Sequence, residues 1–265
     1  MNITAILLLT VSAFIHVIWN IICKRKSPTQ PFFFMSSLTS TIILSPFLIF
    51  NLPQVIALPS SLWLLIFISG IFMALYYVSL AAAYRTSDMS IVYPLTRSIP
   101  VLLVAIVTAL LGQGKPIGHV AIAGIILVAL GCLLLPMQRF HDWNLSNYAS
   151  TAALLALLAG IGTTGYTIFD NLSLAIIRDP TLGLFSPTLA TIICLAIIGI
   201  SSVFWQGVGI LIISEARRQF IPECIRQWRS AIITSIGIFT AYGLTLAAMS
   251  HVTNVSYIAA FRQVS

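Results

Sequence analysis

Long stretches without a formal charge constrain this chain more than any other feature. No Asp, Glu, Lys or Arg occurs from Ser27 to Tyr84, Ser98 to Gly114, Pro116 to Gln138, Asn144 to Phe169, Pro180 to Ser214, or Ser230 to Phe261. A membrane-spanning helix needs about 20 predominantly apolar residues, and these runs together hold many such segments. Only 7% of the residues are charged and 59% are hydrophobic, whereas soluble domains average about 25% charged. Too little polar surface remains to coat a globule in water, so the chain is read as an all-α polytopic membrane protein. Its spans are helices because an open sheet edge leaves backbone groups unsatisfied in hydrocarbon. The net charge of +7 sits in short loops and at helix ends. There it sets orientation and meets anionic headgroups, and it is no footprint for nucleic acid.

The spacing predicts spans at about 3–22, 32–51, 61–84, 88–111, 117–136, 149–170, 183–205 and 230–249, with a ninth begun at 256–265. Pro/Gly breakers separate them: SPTQP (Ser27–Pro31), NLP (Asn51–Pro53), ALPSS (Ala57–Ser61), GQGKP (Gly112–Pro116) and RDP (Arg178–Pro180). The N-terminus lacks a basic region and leads into further spans, so it reads as a first transmembrane helix and not a cleaved signal. The polar connection Gln138–Ser146 divides the chain into a first half, 1–140, and a second half, 146–265. Glu215–Arg229 carries four arginines and two glutamates. It reads as an interfacial amphipathic segment anchored by Phe220 and Trp228, or as an ordinary polar loop.

The halves share weak words. Gly70-Ile71-Phe72 echoes Gly237-Ile238-Phe239, Leu80-Ala81-Ala82 echoes Leu246-Ala247-Ala248, and Arg97 echoes Arg262. Five spans per half is an odd number, so a duplicated pair would be oppositely oriented, an inverted repeat of two five-helix halves. That plan predicts about ten helices in full and a second half that is incomplete here, with the chain truncated inside its ninth span. Small residues (Ala81–Ala83, Ala247, Ala248, Gly124, Gly131, Gly160, Gly162, Gly165) suit close helix approach.

Polar side chains inside the spans are the candidate site. Arg97 lies mid-span, where an arginine costs about 2.5–3.5 kcal/mol on insertion scales. It belongs against a cavity or partner, where its planar fork can bind a carboxylate or phosphonate. Arg262 repeats it, Tyr93 lies one turn before it, and Pro94 and Pro100 flank it. The alternative is an arginine that snorkels or bonds backbone carbonyls. His16, Trp19 and Asn20 share one helical face and read as a cavity wall, with His16 a possible proton-coupling group, or as an interhelical hydrogen-bond cluster. Asp170, with Tyr166 one turn before it, reads as the end of the sixth span, either a group that balances an arginine or carries a coupling proton, or a helix-end acid among headgroups. Tyr76, Tyr77, Tyr84, Tyr242 and Tyr257 read mostly as packing or interface residues, and Arg85 with Asp88 as a solvated pair. The four cysteines show no metal or disulfide spacing, so no metal and no cofactor are expected.

Four passages together resemble the EamA-type transporters of the drug/metabolite transporter superfamily: AFIHVIWNIICKR (Ala13–Arg25), LAAAYRTSDMSIVYPLTRSIPVLLVAIVTALLGQGKP (Leu80–Pro116), IGHVAIAGIILVALGCLLL (Ile117–Leu135) and GYTIFDNLSL (Gly165–Leu174). Where the family usually carries a Glu-Arg pair after the fourth span, this chain reads GQGKP. The resemblance implies ten helices in two inverted halves, a central cavity, alternating access, and export of a small metabolite or amino acid. It also implies a cytoplasmic N-terminus, whereas the Lys/Arg distribution (Lys24, Arg25, Lys26, Arg85, Arg139, Arg217, Arg218, Arg226 and Arg229 against Lys115 and Arg178) places the N-terminus outside.

The function expected is secondary transport, with a small polar or anionic solute held by Arg97, Arg262, Tyr93, His16, Trp19 and Asn20. His16 and Asp170 are the possible coupling groups. No Walker A pattern is present, and HExxH, GxSxG and paired intramembrane aspartates are absent, so the chain is read as no enzyme. The alternative is an accessory membrane subunit or a lipid-handling enzyme without transport activity. The expected partners are a small-molecule substrate and the lipid bilayer, the setting a bacterial cytoplasmic (inner) membrane, and the state a monomer or homodimer.

Overall fold

The computed structural model describes residues 2–24, 28–86, 89–112, 118–134 and 150–262, without the side chains of residues 24, 86, 89–95 and 97 and of a few others. Its elements are α1 (Ile3–Lys24), α2 (Gln30–Phe50), α3 (Leu52–Ile56), α4 (Ser60–Thr86), α5 (Met89–Leu110), α6 (His119–Leu134), α7 (Thr151–Ile177), α8 (Pro187–Ile212), α9 (Ser214–Met249) and α10 (Ser256–Phe261). Among the described residues six helices, α1, α2, α4, α7, α8 and α9, are long and apolar enough to cross a membrane. The boundary stretch Gln138–Ser146, the Arg25–Lys26 pair, Asp88 and Lys115 lie outside the described residues, as do the side chains of Arg97, Tyr93 and Cys132.

Local chemistry starts and stops the helices. Thr29 caps α2 by accepting from the N–H of Phe32, Ser150 caps α7 through Ala153, and Ser186 caps α8 through Leu189, with Pro187 as its first residue. A side-chain acceptor there satisfies one of the donors that a helix start leaves open. Gly183, at φ +58°, makes the turn between α7 and α8 in a backbone region that only glycine enters freely.

Three antiparallel pairs build the bundle. On α1 and α9, the Ser12 hydroxyl donates to the Ala241 carbonyl at 2.7 Å, and Asn2 meets His251 at the opposite tip. On α2 and α8, Gln206 donates to Ser37 at 2.9 Å. On α4 and α7, backbones touch: a Cβ on Gly162 would lie 2.8 Å from the carbonyl oxygen of Phe72 and the nitrogen of Tyr76, so only hydrogen fits there. These contacts define two ends. One holds Asn2, Phe50, Ile177 and Met249 and is here the N-terminal end. The far end holds Gln30, Thr86, Thr151 and Ser214. Phe32, Phe33, Leu62, Leu174, Ile193 and Leu246 are fully buried between the helices, whereas Ile3, Leu7, Phe14 and Ile18 of α1 point outward, as lipid-facing residues do.

The structure corrects several expectations. Glu215–Arg229 is neither a separate interfacial segment nor a loop: α9 runs unbroken over 36 residues, about 54 Å at 1.5 Å per residue. The segment is two-faced. Ala216, Glu223 and Gln227 are buried against the bundle, while Ile221, Ile225 and Trp228 are exposed. Pro222 lies inside the helix without breaking it. The Phe220 ring packs on Phe34 at 5.8 Å. The sixth span extends to Ile177, so Asp170 is not at its end. Among the described residues, Gly124 and Gly131 meet nothing within 4 Å. Arg85 faces Glu215 at 3.8 Å and so is not confined to the turn that precedes α5.

Candidate functional site

A cavity of about 80 Å³ lies at mid-depth between α1, α2, α4, α7, α8 and α9. A single water needs roughly 10–15 Å³ by this measure, so the cavity holds several waters or a small solute. Serine and threonine hydroxyls (Ser12, Ser37, Ser40, Ser202, Thr245) and aromatic faces line it. A smaller adjoining cavity of about 30 Å³ shares His16, Tyr76, Tyr166 and Arg262 with it and reaches Thr96 and Pro100 of α5.

The polar heart of the site is built from residues that the fold brings together. Asp170 is fully buried. Its carboxylate accepts one hydrogen bond from Ser69 of α4 and another from Tyr242 of α9, so one side chain of α7 ties three helices. Tyr242 also lies under Arg262, whose Cζ is 5.8 Å from the ring centroid, within cation–π range. The Arg262 side chain hydrogen-bonds Tyr166, one turn before Asp170 on α7. Tyr166 meets Tyr242 edge-on at 5.7 Å and Tyr76 at 5.9 Å. A cation and a carboxylate are thus joined through tyrosines. A buried charge is tolerated only when hydrogen-bonded or paired, and here hydroxyl groups supply the bonds. Such an arrangement can hold an anionic group on Arg262 and a proton on Asp170.

Of the residues singled out from sequence, His16, Trp19 and Arg262 line the central cavity. Trp19 donates from Nε1 to His16 Nδ1 at 3.2 Å, which fixes the imidazole against the wall. Asn20 does not join them: its amide donates to the His16 carbonyl, one turn back on its own helix, at 2.8 Å. Arg97 and Tyr93 lie on α5, but their side chains are outside the described residues. The i, i+4 spacing of Tyr166 and Asp170 set these two side by side in the sequence, but Ser69 and Tyr242 were missed as their partners; nothing local pointed to Ser69.

Apolar helices packed around a hydroxyl- and tyrosine-lined cavity define the class, an integral membrane protein with a central polar chamber. The model of the EamA-like transporter family matches residues 3–137, half of the chain. The chain belongs to that family, which places it in the drug/metabolite transporter superfamily as a membrane transporter. Comparison with curated proteins and with solved structures returned no match.

Proposed function

We propose that the protein is a secondary transporter that exports a small polar or anionic metabolite or amino acid across a bacterial inner membrane by alternating access. The observation that carries this reading is the Arg262–Tyr166–Tyr242–Asp170 chain beside the central cavity. Arg262 binds the solute's anionic group by charge-assisted hydrogen bonds, and Arg97 serves as its counterpart from the first half. Tyr76, Tyr77 and Trp19 face the body of the solute, with His16 beside them. Asp170 carries the coupling proton, which passes by way of the Tyr242 hydroxyl.

The two halves act as inverted repeats of five helices each, ten in all, as a monomer or homodimer. The packing supports this plan. Exchanging the halves turns the α1–α9 pair into the α7–α4 pair and leaves α2–α8 paired with itself. The site lies between the exchanged pairs, where rocking of the halves would open it to either face.

The test is flux in proteoliposomes with a panel of labelled amino acids and organic anions. The native chain transports at least one of them, and Arg262→Ala abolishes that flux while Arg262→Lys weakens it. Undiminished flux in Arg262→Ala overturns the assignment of the anion site.

A further inference from the structure

A second cavity, of about 250 Å³, opens at the N-terminal end between the α7–α8 connection, the start of α8 and the last turns of α9. Arg178, Thr188, Thr191, Leu195, Gly243 and His251 are among its walls. Arg178 follows the last residue of α7 and is half-buried. Its Nη2 donates to the Thr191 hydroxyl and, at 3.5 Å, to the Leu246 carbonyl. Its Nε is buried and has no acceptor among the described residues. A buried donor left unpaired costs about 1–3 kcal/mol, and the rest of the half-buried Arg178 side chain lines the cavity.

No carboxylate forms an ion pair with Arg178 among the described residues. The neighbouring Asp179 is exposed, and its Oδ1 accepts from the N–H and hydroxyl of Thr181. Burial lowers the pKa of the Arg178 guanidinium, as expected of a desolvated cation without a paired carboxylate. The first turn of α8, a 26-residue helix, adds its positive dipole end and the Thr188 hydroxyl.

Leu195 lines this cavity and the central one alike. Its Cδ2 is 3.3 Å from where a Cβ on Gly243 would sit, and Gly243 adjoins Tyr242. Leu195, packed against Gly243, is thus a wall that the two chambers share.

We propose that this outer cavity is an anion-binding vestibule, in which Arg178 and the start of α8 capture the carboxylate or phosphate group of a soluble molecule and Leu195 gates its passage to the central cavity. The capture stands on its own geometry; the passage rests on the transporter reading.

The experiment uses the full chain with Cys132→Ala and Cys224→Ala, keeping the buried Cys23 and Cys194, in phosphatidylcholine vesicles. Thr188→Cys, at an exposed position, is reacted with two methanethiosulfonates of similar size, one bearing a sulfonate and one a trimethylammonium. The anionic reagent is expected to react several-fold faster relative to its rate on a free thiol, and inorganic phosphate to slow it. Arg178→Gln is expected to remove the preference. Equal relative rates, or a preference that survives Arg178→Gln, overturn the capture site. Protection by phosphatidylglycerol vesicles that phosphate does not reproduce assigns the site to a lipid headgroup and overturns the vestibule.

For the gate, Ser202→Cys reports from the central cavity. Leu195→Trp is expected to slow its labelling from the N-terminal side several-fold and to leave the anion preference of Thr188→Cys labelling intact, which also shows that the variant folds. Unslowed Ser202→Cys labelling overturns the passage. Absence of flux with every solute tested would sink the transporter reading and leave the reagent selectivity unchanged, so the two failures are distinguishable.

Discussion

Two antiparallel helix pairs wall the central cavity, and different chemistry joins them. Between α1 and α9 the contact is neutral: Ser12 donates to the Ala241 carbonyl, its hydroxyl lies 3.1 Å from that of Thr245, and Gly237 packs under Trp19. Between α4 and α7 the backbones close on Gly162, and the polar contact is a carboxylate, Asp170, held by Ser69 and by Tyr242 from a third helix. Hydroxyl bonds in a membrane contribute about 0.6 kcal/mol each, enough to hold a pair but not to change with protonation. A carboxyl in the same setting gives two states, charged and neutral, with different demands on its donors. The difference teaches that shared architecture leaves room for one pair to be a fixed joint and the other a switchable one.

The largest effect should come from removing the carboxylate. Asp170→Ala leaves two hydroxyls without their acceptor, each worth about 1–3 kcal/mol when buried. It should abolish flux and lower the thermal unfolding temperature in detergent. Asp170→Asn keeps an acceptor and should restore folding. It should also retain solute exchange between preloaded vesicles while losing flux driven by a proton gradient. Gly162→Val comes next. Its side chain would enter the α4 backbone, and overpacking of about 1–3 kcal/mol or more should appear as lower yield and an earlier melting transition. Tyr242→Phe removes one hydrogen bond to a carboxylate, about 1.5–3 kcal/mol, and should reduce gradient-driven flux more than it reduces melting temperature. Ser12→Ala, on the neutral pair, should cost only about 0.6 kcal/mol and leave the pH dependence of flux unaltered. A change in that pH dependence would erase the contrast between the pairs. Smallest of all, Gly124→Ala enters open space and should leave both readouts where they were.

Much of the architecture was legible because lipid enforces simple rules. Charge-free runs marked the spans, and Pro/Gly words marked most of the turns between them. Polarity misled where a charged helix face resembles a loop. Glu215–Arg229 is as polar as a connection, yet Ala216, Glu223 and Gln227 turn inward and α9 continues through it. The site was legible in part. Arg262, His16 and Trp19 stood out because such side chains are costly in hydrocarbon. Asp170 stood out too, but the helix end was placed too early, which moved it from the interior to the headgroups. Ser69 and Tyr242 carried no local signal: their role exists only because α4 and α9 meet α7 at that depth, and periodicity within one helix does not encode such a meeting.

The unbroken length of α9 has a mechanical consequence. A rod of about 54 Å, at 1.5 Å per residue, converts small rotations into ångström-scale displacements: a tilt of roughly 5° about its midpoint moves each tip by about 2 Å. The far-end tip carries Arg217, Arg218, Glu215 and the Arg226–Glu223 pair, and the same rod bears Tyr242 beside the cavity. A push on the polar tip is therefore delivered as leverage on the Asp170 clamp along one helix, which has Pro222 in its interior.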